Sequence, residues 1–272
     1  MRAWHWVRRD KVKTMRPLSE WRPPQGLIGV FTDIDDTLTT DGAITPDALQ
    51  ALADLQAAGL HVVPITGRPV GWSEPFASSW PVDAIVAENG AVGLQHRPSQ
   101  GLRKLYQQSD AERAKHFAQM QNVLSQIEAS VPGARRSQDS AGRETDIAID
   151  HSEFIQLPPK TIETVVQHMR SAGMTATVSS IHINGWFGQH NKLTGARWIV
   201  RELWGRDLDA EIDRWVFVGD STNDQVMFEQ FAHSLGVANI QRFATQLTHP
   251  PRYVTPAERG AGFAQVVKRL LG

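Results

Sequence analysis

The sequence predicts an α/β protein whose parallel sheet is interrupted by an inserted α+β module. Three observations carry that expectation. Short, almost continuous apolar runs at 27–31 ("LIGVF") and 215–219 ("WVFVG") have the character of strands buried on both faces. Helical segments alternate with such runs, as in βαβ units. Between residues 95 and 186 the pattern changes to helices and half-wet strands, after which the α/β alternation returns.

The elements follow in order. "GLIGVFTD" is the first buried strand. "ITPDALQALADLQAAG" is a helix with Thr45 as cap, Pro46 at the first turn, Asp47 complementing the dipole and Gly59 as stop. "LHVVPIT" is the next strand, although Pro64 removes a ladder donor and predicts a local irregularity. "VDAIVAENG" is the third. In the insert, Ser109 and Glu112 form a capping box that opens a helix to about Ser130. "TDIAIDH", "PPKTIETVVQHMRSAG", "MTATVSS" and "IHING" then read as strand, helix and two strands. The core resumes with the helix "NKLTGARWIVREL", the strand "RWVFVGD", the helix "TNDQVMFEQFA", the short strand "SLGVAN" and the closing helix "AGFAQVVKRLL". The expected organisation is an N-terminal arm over 1–24, a core over 25–94 and 187–272, and the inserted domain over 95–186.

The chain has 272 residues with 28 Lys+Arg against 29 Asp+Glu, so it carries no basic footprint for nucleic acid or anionic membrane. It has no cysteine, which excludes disulfides, thiol catalysis and Cys-ligated zinc. No run approaches the roughly 18 apolar residues of a spanning helix. The start, "MRAWHWVRRDKVKTMRPLSEWRPP", is basic and lacks the apolar core of a secretory signal. It reads as a loose arm, or as upstream of a start at Met15, with Trp4 and Trp6 as the residues that could pack on the body. A cytoplasmic setting is expected. The sequence is silent on oligomeric state.

The chemistry concentrates at strand ends. "FTDIDDTLTT" places Asp33 and Asp35 two apart, on the same side of an extended segment, at the sheet edge where open α/β sheets bind ligands. "VFVGDSTND" brings Asp220 and Asp224 to another strand end. Converging carboxylates repel unless a cation joins them, and an all-oxygen shell suits Mg2+. The histidines show no paired metal spacing, which weakens zinc. "PITGRP" offers the Thr66 hydroxyl, the Gly67 N–H and the Arg68 cation. Lys192, in the first turn of a helix, suits a bound anion there. This set fits phosphoryl transfer, and no G-x-S-x-G elbow supports a serine hydrolase.

These residues resemble the haloacid dehalogenase (HAD) superfamily, in the branch with a cap inserted between its second and third motifs. The motifs are "DIDDT", "TGRP", Lys192 and "GDSTND", in the family's order, with "AENGA" (Glu88, Asn89, Gly90) also matching the branch. The resemblance implies a Rossmann-like parallel-sheet core with an α+β cap, and a Mg2+-dependent phosphomonoesterase. It implies Asp33 as nucleophile and Asp35 as general acid and base. It assigns Mg2+ to the Asp33 carboxylate, the Asp35 backbone carbonyl and Asp220, with Asp224 orienting or binding it. Thr66, Gly67 and Lys192 would hold the phosphoryl group. The roughly thirty residues from Asp33 to Thr66 fit a bare βαβ unit, so the cap falls after Thr66. A lid of that kind favours a small substrate, a sugar phosphate or phosphoglycerate derivative. A phosphomutase and a non-catalytic phosphate-metabolite sensor are the alternatives.

Other residues carry weaker expectations. Arg68, Asn89, His182 and Asn184 are candidate substrate contacts, and Trp186 stands beside the last two. Arg135, Arg136 and Arg143 read as a solvated loop. Trp198, Trp204 and Trp215 read as core or its rim. Asp36 stands where many relatives carry Gly, and no role is assigned to it.

Overall fold

The structure is a computed structural model that describes residues 14–272. Trp4 and Trp6 lie outside the described residues. In chain order, β1 (Arg16–Pro17), β2 (Gly29–Thr32), the β3 (Thr39–Thr40) and β4 (Ala43–Ile44) hairpin, α1 (Pro46–Ala57), β5 (His61–Pro64), α2 (Val70–Ser79) and β6 (Ile85–Ala87) come first. The β7 (Val92–Arg97) and β8 (Gly101–Tyr106) hairpin leads to α3 (Asp110–Ser130), β9 (Ile147–Asp150), α4 (Pro159–Ser171), β10 (Thr175–Val178) and β11 (His182–Trp186). The chain then returns through α5 (Lys192–Trp204), α6 (Leu208–Glu211), β12 (Trp215–Gly219), α7 (Gln225–Gln230), β13 (His233–Gly236), β14 (Tyr253–Val254) and α8 (Arg259–Leu271).

The main sheet has the order β1-β14-β13-β12-β2-β5, and every pair in it is parallel. Alternate residues feed opposite faces, as a strand's period of two requires. Val30, Val62, Val216 and Val218 join one apolar cluster, to which α1 and α8 contribute. Phe31, Val63, Trp215 and Phe217 join the other, to which α5 contributes. Chain neighbours of β2 continue to one side of it and those of β12 to the other, so a crevice opens between the loops that follow these two strands. Asp33 and Asp220 are the first residues beyond those strands.

Pro64 disturbs nothing on the β2 side. The ladder runs intact to Thr32↔Pro64, because the donors facing β2 come from His61 and Ile65. Val62 and Thr66 point the other way, to the Asp83 carboxylate and the Val86 carbonyl. Pro64 falls in that second phase, where its missing N–H costs the β2 ladder no bond.

The insert has its own core. β10-β11-β9 form a separate antiparallel sheet. Met120, Leu124, Ile127, Ile147, Val165, Met169 and Trp186 belong to a third apolar cluster that takes no residue from the main core. The Ser109–Glu112 capping box opens α3 as the sequence predicts. Two boundaries move, however. The β7–β8 hairpin packs on the core, with Val92 and Leu94 in one core cluster and Leu105 in the other, so the inserted cluster begins well after residue 95. Residues 14–24 are not a loose arm: Arg16–Pro17 pair with β14, and Trp21 is buried, its Nε1 donating to His233 Nδ1 at 3.1 Å. Leu18 and Trp21 anchor the segment, both buried in the main core cluster.

Trp21→Ala therefore tests whether this segment belongs to the fold. It should lower the unfolding free energy by about 3–5 kcal/mol, the usual cost of emptying a buried aromatic site. Chemical denaturation measures it, and an unchanged midpoint would restore the loose arm.

Candidate active site

The site grows from strand register. β2 pairs with β12 through Thr32↔Val218, and Asp33 N still donates to Val218 O at 2.8 Å. That carries Asp33 and Asp220 to the same edge. Asp224 follows in a short turn, where its Oδ2 accepts from the backbone N–H groups of Asp220 (3.0 Å) and Ser221 (3.2 Å). One carboxylate oxygen each of Asp33, Asp220 and Asp224 lie within 4.8 Å of one another, and all three residues are buried.

Lys192 sits in the first turn of α5, which Asn191 and Thr194 cap reciprocally. Its ammonium reaches Asp33 Oδ1 at 2.5 Å and Asp224 Oδ1 at 2.7 Å. A close backbone approach makes this possible. Gly90, at φ +109°, and Gly195 face each other so tightly that a Cβ on Gly195 would lie 2.5 Å from Gly90 Cα. Only two glycines let the helix end approach the "ENG" loop this closely.

The electrostatics are lopsided. Burial pushes Asp33 up to about 8 despite the Lys192 ammonium, and Asp224 and Asp35 add to the rise. Burial also holds Asp220 well above the carboxylate range, with Asp33 and Asp224 adding repulsion. Burial opposes the charge on Lys192, but Asp224 and Asp33 outweigh it and raise its pKa. Asp220 Oδ2 accepts from Asn239 Nδ2 at 2.9 Å, while its buried Oδ1 has no partner. A partnerless buried oxygen between two more carboxylates is the donor set that a hard divalent cation completes.

Asp35 goes elsewhere. The chain leaves the sheet at Asp33 and coils through a tight turn in which Thr37 and Leu38 both donate to Ile34 O. The extended geometry expected for Asp33 and Asp35 therefore ends there. The Asp35 carboxylate lies outside the acidic cluster and accepts from Arg68 Nε at 2.9 and 3.1 Å. Asp36 acquires a role. Its φ of +55° explains why glycine suits the position, and its carboxylate lies 3.1 Å from Arg259.

Thr66 is fully buried beyond β5, its Oγ1 accepting from Arg68 N at 2.9 Å. Gly67 O accepts from Arg143 (3.1 Å) and Asn184 (3.3 Å). Asn184 and Asn89 both donate to Asp146 Oδ2, at 3.0 and 3.5 Å. His182 Nε2 meets Glu153 Oε2 at 2.8 Å. The weaker candidates are thus drawn together, but into a polar seam between core and insert. Arg143 corrects the expectation of a solvated loop: its side chain is 2% exposed and pairs with Asp146 and Asp139. The same pairing raises its pKa against burial, and burial lifts Asp146 to about 7. Arg136 is surface-exposed and pairs with Glu128. Asn239, Asp139, Asp146 and Glu153 were not picked out from the sequence. Asn239 carried a usable signal, a polar residue at the end of "SLGVAN". The other three lie in the insert, where nothing local marks them.

Glu88 anchors the seam. Its buried carboxylate accepts from the N–H groups of Val70 (3.1 Å) and Glu144 (2.9 Å) and from both the N–H and the hydroxyl of Thr145. Glu88→Ala orphans these donors and should cost about 3–5 kcal/mol. Amide exchange at Glu144 and Thr145 should quicken by more than the exchange at β2. Equal change at both would show that Glu88 acts on global stability alone.

The profile of the haloacid dehalogenase-like hydrolases matches residues 30–141. A phosphoglycolate phosphatase of Methanothermobacter thermautotrophicus is 27% identical over 89% of this chain and 98% of its own. A Thermoplasma acidophilum protein shares the fold with a TM-score of 0.69 at 18% identity, over 90% of this chain and 98% of that one. The sucrose-phosphatase of Synechocystis, solved with sucrose and phosphate, follows with a TM-score of 0.64 at 16% identity, over the same shares of the two chains. The order of the motifs, the carboxylate cluster at the crevice and these likenesses agree: the chain is similar to the haloacid dehalogenase-like hydrolases, and it shares its fold, inserted domain included, with the solved structures above.

Proposed function

We propose that this phosphatase is a Mg2+-dependent phosphomonoesterase that acts on a small phosphorylated metabolite through a phosphoryl-aspartate on Asp33. The observation that carries the reading is the buried Asp33–Asp220–Asp224 cluster, with Lys192 on Asp33 and one Asp220 oxygen unpartnered. Asp33 and Asp220 would hold Mg2+, with Asp224 beside them and the Asp35 carbonyl as the resemblance implies. Bound there, Mg2+ supplies positive charge that keeps Asp33 ionised and offsets the phosphate oxygens.

The chain's own groups divide the remaining work. Lys192, Thr66 and the Gly67 N–H hold the phosphoryl oxygens as charge develops. An Asp33 oxygen attacks phosphorus, and the bond from phosphorus to the leaving oxygen breaks. Asp35 gives that oxygen its proton. Asp35 then takes a proton from a water that attacks the phosphoryl-aspartate, which frees phosphate and returns Asp33. Arg68 holds the Asp35 carboxylate beside this path.

A cavity of about 400 Å3 lies against Asp35, Arg68, Glu153, Phe154, Ile181 and Arg259. Its size, and the likeness to a phosphoglycolate phosphatase and a sucrose-phosphatase, support a sugar phosphate or a phosphoglycerate derivative. Among the described residues no helix is long and apolar enough to cross a membrane. We place the enzyme in the cytoplasm, with its soluble substrates.

Chelation should abolish phosphate release from p-nitrophenyl phosphate, and added Mg2+ should restore it and raise the melting temperature. Full turnover after exhaustive chelation would remove the cation. Asp33→Asn should lower turnover by about a thousandfold or more and leave no phosphoenzyme in a rapid acid quench. Asp35→Asn should hurt substrates with poor leaving groups far more than those with good ones, because only the former need its proton. Near-normal turnover by Asp33→Asn would overturn the covalent route.

A further inference from the structure

All three guanidinium nitrogens of Arg68 are engaged by carboxylates. Nε donates to both oxygens of Asp35, NH2 donates to Glu153 Oε1 at 2.8 Å, and NH1 donates to Asp139 Oδ2 at 3.4 Å. The side chain is 6% exposed and lies over the Trp72 ring, 5.0 Å from its centre. Asp35 and Arg68 belong to core loops. Asp139 and Glu153 come from the inserted segment, where Arg143 and His182 hold them in turn. A substrate ligand would offer free donors to the cleft, and Arg68 has given each nitrogen to the protein.

We propose that Arg68 is a positioning residue that transmits the seating of the cap, through Glu153 and Asp139, to the orientation of Asp35. The inference rests on the phosphatase reading above. With the cap seated, two cap carboxylates fix the guanidinium from one side, so its Nε presents a fixed edge to Asp35 on the other. A planar fork held at both ends sets where the Asp35 oxygens lie, which a flexible ammonium does only in part. When the cap lifts, Glu153 and Asp139 leave with it, and Arg68 loses the two anchors that aim it. Proton delivery to the leaving group is then coupled to closure, and water entering an open site meets an acid out of position. A structural ion cluster that merely glues the cap down would affect affinity and stability without regard to the leaving group.

Leaving-group dependence separates the two. The substrates are p-nitrophenyl phosphate and phenyl phosphate, alike in size but unlike in how much they need a proton donor. Arg68→Met should lose about tenfold more kcat on phenyl phosphate than on p-nitrophenyl phosphate. Arg68→Lys should recover part of that difference, and Glu153→Gln, which changes little volume, should show a smaller difference of the same sign. In an Asp35→Asn background both substitutions should leave the ratio of the two substrates unchanged, because the group they position is gone. Equal losses on both substrates, or a ratio that still shifts without the Asp35 carboxylate, would reduce Arg68 to glue. Glu153→Gln keeps the test open should Arg68→Met fail to fold. If the unaltered protein releases phosphate from neither substrate, the phosphatase reading itself falls, and this inference with it.

Discussion

Three buried carboxylates crowd together at the crevice between β2 and β12, and one ammonium bonds two of them. Fully ionised, that cluster carries two uncompensated negative charges. At about 4 Å and an effective dielectric of about 20, each like-charge pair costs roughly 4 kcal/mol. No fold keeps such a cost without relief, and much of the local architecture supplies it. Backbone N–H groups meet Asp224, Asn239 meets Asp220, and the facing glycines Gly90 and Gly195 bring Lys192 within reach. What remains unrelieved is the free Asp220 oxygen, and it is the feature that calls for a cation.

The second constraint lies one layer out. Core and cap meet through polar and charged groups and a close backbone approach of Gly71 to Gly142, and the cap's own apolar cluster takes no residue from the core. Glu88 reaches to Thr145, Arg143 to Gly67, and Arg68 to Glu153 and Asp139. Breaking a buried pair strands a charge, so such a seam resists partial opening. Separating the two bodies lets water solvate every member at once. Ion pairs between separately packed bodies therefore suit the cap closure proposed above better than a shared apolar core would.

Much of this was legible in residue order. Buried strands betrayed themselves as apolar runs, α3 by its capping box, and the groups of the candidate site as polar residues at strand ends. Asp36 was legible only in part. The position looked odd, but its left-handed φ and its Arg259 partner depend on a chain segment more than two hundred residues away. Pro64 misled in the other direction, because whether a missing N–H matters depends on which neighbour it faces.

The sequence by itself determined the α/β alternation and the inserted module, and it singled out Asp33, Lys192, Asp220 and Asp224, which the fold brings together, and Thr66, which it buries beyond β5. Each of these follows from local patterning, from periodicity, caps and residue types at the ends of apolar runs. Tertiary structure alone decided that Asp35 turns from the carboxylate cluster to Arg68, that Arg143 is buried, that Trp21 is core, and that the β7–β8 hairpin belongs to the main body. These outcomes turn on which distant side chain offers the compensating charge or the matching cavity. Burial and ion pairing are properties of pairs remote in sequence, and no local pattern encodes the partner.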